Sequence, residues 1–186
     1  MFREERASDR GFTLVELLFA LATIVTVTAI SVPSISNFLN SSLAADGARS
    51  VERELQVARL QAVSTSKSMR VRLNCPAAGQ LRVIEVTGVS STDDASNRCD
   101  PTAYPTPGPS DMLTATPSLD SGVVYLKDGV TVTSTVTIFQ FDPDGRVGSL
   151  VGGVETPIAA GTTLTIAYGG YTHTVSINGF GRIKMD

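Results

Sequence analysis

From Leu17 to Ala45 the chain carries no charged side chain, and residues 11–33, GFTLVELLFALATIVTVTAISVP, are apolar on every face of a helix but for Glu16 near the start. Roughly 20 such residues cross the hydrocarbon core of a bilayer, so this pattern predicts a membrane-length helix over 12–38. Pro33 is expected to bend it, and the stretch that follows is Ser-rich and only half apolar. Over 39–68 the pattern becomes one-sided. Val51, Leu55, Ala58 and Ala62 fall at i, i+4, i+7 and i+11, while Arg49, Glu52, Arg53, Glu54, Arg59 and Lys67 occupy other faces. Gly47 weakens this amphipathic segment by up to about 1 kcal/mol relative to alanine and marks a point of flexibility.

From Met69 onward the period is two. Val71 and Leu73 open a strand, Ala78-Gly79-Gln80 turns, and residues 81–89 form the next strand. Residues 90–122 are rich in Ser, Thr, Asp and Pro and read as a long, variable surface loop. Short strands follow at 123–126, 130–132, 136–141, 163–168, 171–177 and 180–184. Gly169-Gly170 and Asn178-Gly179 read as two-residue hairpin turns. The pattern predicts an α+β chain: a long N-terminal helix, half membrane-like and half amphipathic, packed on an antiparallel β domain over 69–186 that forms a meander against one helix face.

Charge adds direction. The net charge is −3, and residues 68–186 carry eight basic against eleven acidic side chains, which argues against a broad nucleic-acid surface but leaves room for a local basic spot. Arg3, Arg6 and Arg10 precede the apolar run and the next basic residue is Arg49. That asymmetry places the N-terminus in the cytoplasm and the distal domain across the membrane, in a single pass. Two cysteines, Cys75 and Cys99, and one histidine, His173, are too few for a standard zinc site. A disulfide closing about 24 residues would contribute roughly 3 kcal/mol and requires an oxidising compartment; two buried free thiols are the alternative.

Glu16 is the puzzle of the apolar run, because a carboxylate within a membrane helix costs on the order of 2.5–3.5 kcal/mol and by default marks a functional site. A cleaved signal peptide ending near Ala29-Ile30-Ser31 is one reading, but its apolar run would be shorter and uninterrupted. A plain signal anchor fits the length and leaves Glu16 unexplained. Glu16 sitting at the lipid interface is the bland account.

The string GFTLVELL, with Gly11 ahead of Phe12 and Glu16 fifth from Phe12, resembles the class III signal of type IV prepilins and type II secretion pseudopilins. Pro33, the twenty-second residue from Phe12, the uncharged run and the helix leading into a β domain fit the same resemblance. It implies that residues 1–11 are a leader, that a prepilin peptidase cuts between Gly11 and Phe12, and that the new Phe12 amine is methylated. The distal IFQFDPDGRV (138–147), TLTIAY, YTHTVSI and NGFGRIK segments resemble the GspH/FimT group of minor pseudopilins and minor pilins. The implied partners are other pilins in a filament, the peptidase, an inner-membrane assembly platform and membrane lipid, with the β domain periplasmic. Glu16, one helical turn from Phe12, would then pair with the Phe12 ammonium of its own or a neighbouring subunit and set axial register.

The remaining constellations are weaker. Asp142-Pro143-Asp144-Gly145 has two alternating acids but suits a tight turn better than a calcium loop. His173 shares a strand face with Tyr171, Val175 and Ile177, the setting of a core histidine, and no nucleophile motif accompanies it, so neither an enzyme nor a cofactor is expected. Arg182 and Lys184 point the same way from the last strand. Gly181-Arg182-Ile183-Lys184 resembles the Gly-Arg-x-Arg signature of FimT-type minor pilins that bind DNA, with Lys in the final place and Asp186 nearby. Charges that block edge-to-edge pairing of the sheet are the commoner role for such residues.

Overall fold

A computed structural model describes residues 12–110, 116–151, 153–158 and 161–186. The chain divides into two compact units, Met1–Leu39 and Asn40–Asp186. One helix, α1 (Leu14–Thr65, 52 residues), contributes to both and runs through Pro33 without a break. In the first unit its large apolar side chains, from Leu14 to Leu39, are exposed, and it is long and apolar enough to cross a membrane.

In the second unit the helix meets a core. Ala44, Ala48, Val51, Leu55, Ala58 and Ala62 are all at most 1% exposed and extend the stripe read from the sequence by about two turns in the N-terminal direction. Fully burying a Val or Leu contributes about 1.5–3 kcal/mol, whereas the alanines chiefly let backbones approach. Gly47 takes this furthest: a Cβ there would lie 2.9 Å from Val130 Cγ1 and 3.2 Å from Ile166 Cγ2. Gly47 is therefore a close-packing position within continuous helix, not the point of flexibility its propensity suggested.

Two sheets receive this stripe, correcting the single meander. The first contains β1 (Met69–Leu73), β2 (Gln80–Glu85), β3 (Val124–Tyr125), β5 (Ile138–Phe141), β6 (Val147–Val151) and β7 (Val154–Pro157), in the order β3-β2-β1-β5-β6-β7. The second contains β4 (Thr131–Thr133), β8 (Thr162–Tyr168), β9 (Tyr171–Ile177) and β10 (Ile183–Met185), in the order β10-β9-β8-β4. Every pairing is antiparallel. The chain changes sheet between β3 and β4, between β4 and β5, and between β7 and β8, an order that turn signals do not encode. Strands β6 and β7 were not anticipated; VGSLV and VETP contain Gly, Glu and Pro, which blur the period of two.

Gly169-Gly170 makes the expected hairpin, with Tyr168 opposite Tyr171. Asn178-Gly179 does not. β9 ends at Ile177 and β10 starts at Ile183, so five residues connect them. Asn178 organises this connection: its N–H donates to the Arg182 carbonyl, its carbonyl accepts from Gly181, and its Oδ1 accepts from the Arg182 N–H at 2.9 Å.

The loop at 90–122 is less of a surface element than its composition suggests. It starts with a single helical turn, α2 (Ser90–Asp93), and residues 111–115 lie outside the described ones. Asp93, Arg98, Cys99, Ser118 and Asp120 are buried. They cover the second face of the six-stranded sheet, where Arg70, Arg72 and Arg82 alternate with the core residues Met69, Val71, Leu73, Leu81 and Val83.

Candidate assembly surfaces

The N-terminal end of α1 is built around Thr13, whose Oγ1 accepts the Glu16 N–H at 3.2 Å. Thr13-x-x-Glu16 is thus a capping-box sequence, with a hydroxyl at the cap and a carboxylate in the first turn facing the positive end of the helix dipole. That signal was readable in the sequence and gives Glu16 a local role besides any pairing. Phe12 (83% exposed) precedes the helix, one turn from Glu16, and Gly11 lies outside the described residues. Further along, Thr23, Thr26, Thr28, Ser31, Ser34 and Ser36 each donate their hydroxyl to a carbonyl three or four residues back. Their polar hydrogens are consumed within the helix, so the whole segment can sit among apolar neighbours.

Cys75 and Cys99 form a disulfide, with Cα atoms 5.7 Å apart. It ties the end of β1 to the covering segment, and buried charges continue the attachment. Arg98 donates to both oxygens of Asp120 and to the Glu85 carbonyl, and its guanidinium stacks 4.6 Å from the Tyr104 ring centroid. Arg82 donates to the Ser121 carbonyl at 2.8 Å and the Tyr104 carbonyl. Arg72 and Arg70 reach the backbone of Asp93, and Arg70 pairs with Asp94 at 3.0 Å. Burial, then the neighbouring Arg70 and Arg98, push the Arg72 pKa down. Glu85 accepts from Lys67, from the Ser118 N–H and hydroxyl, and from the Leu119 N–H. Burial alone would raise its pKa, but the Lys67 and Ser118 bonds outweigh it and hold the carboxyl below its ordinary value.

Arg182 and Lys184 are both exposed, as the alternation requires. They differ in what they face. The Lys184 ammonium is held by Asp186, whereas the Arg182 guanidinium forms no ion pair or hydrogen bond among the described residues. Arg182 instead borders a groove of about 600 Å³ between α1 and the β9–β10 connection. Arg59 crosses its floor, donating to the carbonyls of Gly145 and Phe180 at 3.4 and 3.3 Å, and so links the helix to two turns. Gly181 (φ +76°) is required there, since a Cβ would fall 2.3 Å from the Gly145 oxygen. From the sequence Arg59 is only one of the charges on the other faces of the amphipathic helix.

The other sequence candidates are structural. Asp142–Gly145 is a turn closed by Gly145 N–H to Asp142 O, with Gly145 at φ +82°. His173 is half-buried opposite Ile166. Among the described residues no group of three His, Cys, Asp or Glu side chains could hold a metal ion.

A long N-terminal helix, apolar at its start and packed along its second half against antiparallel sheets, defines a pilin-like protein. A family model described as type II transport protein GspH matches residues 47–181, most of the chain, and the chain belongs to that family. GspH proteins are structural subunits, so the chain is not an enzyme. Among solved structures it is similar to the type IV minor pilin FimU of Pseudomonas aeruginosa (16% identity over 80% of this chain and 92% of that one, TM-score 0.47). It is also similar to the minor pseudopilin EpsH of the Vibrio cholerae type II secretion system (14% identity, 78% of this chain and 94% of that one, TM-score 0.48). No curated protein sequence matches it.

Proposed function

We propose that the chain is a minor pseudopilin or minor pilin, made with a leader, cut between Gly11 and Phe12, methylated at Phe12, and inserted into a short filament from the inner membrane. The observation that carries this reading is the GspH match over 47–181. The apolar half of α1 supports it, because its polar hydroxyls are internally bonded and it can serve first as an anchor and then as a packed filament core. The N-terminus is cytoplasmic, the β domain is periplasmic, and the disulfide suits that oxidising compartment. Assembly involves a prepilin peptidase, a membrane platform and companion pilins.

Glu16 carries the assembly chemistry. Its carboxylate pairs with the Phe12 ammonium exposed by cleavage, on its own or a neighbouring subunit, and any other register leaves two charges without partners in an apolar core. The DNA-binding alternative through Arg182 and Lys184 has less support, since Asp186 already neutralises Lys184. The test is the mass of the mature N-terminal peptide from the membrane fraction. It is expected to begin at N-methylated Phe12 in cells with the peptidase and at Met1 in cells without it. A mature start at Val32 would instead mark a cleaved signal peptide and overturn the reading.

A further inference from the structure

The groove beside Arg182 is built by a chain of local constraints. Arg59 needs the Phe180 and Gly145 carbonyls, and the glycine at 181 lets the connection come close enough to supply them. Turning the Phe180 carbonyl toward Arg59 leaves the Phe180 ring 82% exposed. Across the groove, Leu60 and Val63 on α1 are 68% and 49% exposed, and Ile183 closes the base. An exposed aromatic, two exposed aliphatics and two guanidinium groups form the composition of an interface centre, where aromatic residues and arginine are enriched. Among the described residues neither Arg59 nor Arg182 forms an ion pair, so the groove presents two positive charges without counter-charge.

We infer that this groove docks an acidic segment with an apolar anchor on a different subunit of the same assembly: its carboxylate lies between Arg59 and Arg182, and its apolar side chain lies against Phe180 and Leu60. The inference rests on the filament reading above. Apolar walls favour a protein over a phosphate backbone, which would leave Leu60 and Phe180 uncovered. A second copy of this chain fits poorly: its acids Asp46, Asp144 and Asp186 are each paired with a neighbouring cation, Glu155 is held by Gln140, and Glu52 and Asp128 are flanked in sequence by Arg53 and Lys127, whose charge would meet the two arginines.

The test uses the full chain in cells that make the whole set of pilin-like subunits, with the photocrosslinker p-benzoylphenylalanine in place of Phe180. Mass spectrometry of the adduct is expected to identify an acidic segment of another pilin-like subunit. Arg182→Glu should lower the adduct yield about tenfold, and changing the captured acid to lysine should restore it. An adduct with a second copy, with a non-acidic segment or with DNA overturns the proposal, as does no adduct or an unchanged yield in Arg182→Glu. A second crosslinker in place of Leu18 separates this from the parent reading. Adducts from position 18 without any from position 180 remove the groove and keep the filament. Adducts from neither position remove both.

Discussion

Arg98 places a guanidinium entirely out of reach of solvent, an arrangement stable only while its partners stay in place. Asp120 supplies both acceptor oxygens and also accepts the Glu85 N–H at 2.9 Å, so removing one carboxylate strands a guanidinium and a backbone donor together. Asp120→Ala should therefore cost on the order of 3–5 kcal/mol in equilibrium denaturation. Glu85 makes a pH prediction. Its carboxyl pKa is held below its ordinary value in the folded chain, so its stabilisation is complete above its unfolded pKa of about 4.3 and is lost as pH falls through the lower folded value. Glu85→Gln should flatten that acid limb of the thermal-unfolding profile while leaving the variant less stable than the parent at neutral pH. These residues were hard to read in advance. Met-Arg-Val-Arg-Leu is the alternation of a strand with one wet face, and nothing in those five letters says that a distant loop will cover the arginines. Thr13-x-x-Glu16, by contrast, carries its capping signal within four letters, but the reading of the apolar run passed over it.

At the level of elements, period and turn chemistry located most strands and the helix, because each is a local property. The Gly169-Gly170 hairpin follows from two residues that accept positive φ. Sheet membership is different: β4 pairs with β8 some thirty residues later, and that choice depends on which side of α1 has room. The alanine stripe and Gly47 create that room, yet helix propensity treats glycine only as a weakness. The disulfide belongs at this scale, as it joins β1 to a segment with little regular structure across a separation of 24 residues. The paired substitutions Cys75→Ser and Cys99→Ser should lower stability by about 3 kcal/mol. Limited proteolysis should then cut first within 90–110, with the strands still protected.

For the whole molecule, the two units answer to different surroundings: one exposes apolar side chains throughout, and the other buries a conventional core. Composition already separated them, and the reason proposed for an acid in the apolar run rests on the motif around Gly11 and Phe12. The groove at Arg182 was not legible, since its geometry requires α1, the Asp142–Gly145 turn and the Asn178–Arg182 connection at once. Glu16→Ala should insert into the membrane and keep the disulfide, because the second unit does not depend on it. It should also be absent from sheared filaments, as read by comparing membrane and filament fractions on a blot. The seam of Ala44, Ala48, Val51, Leu55, Ala58 and Ala62 has a mechanical meaning as well. Tension applied along the axis of α1 meets these six contacts in shear, and interlocked side chains must slide together before any one separates. A seam pulled that way shares the load across its length, where the same contacts pulled sideways would peel apart one after another.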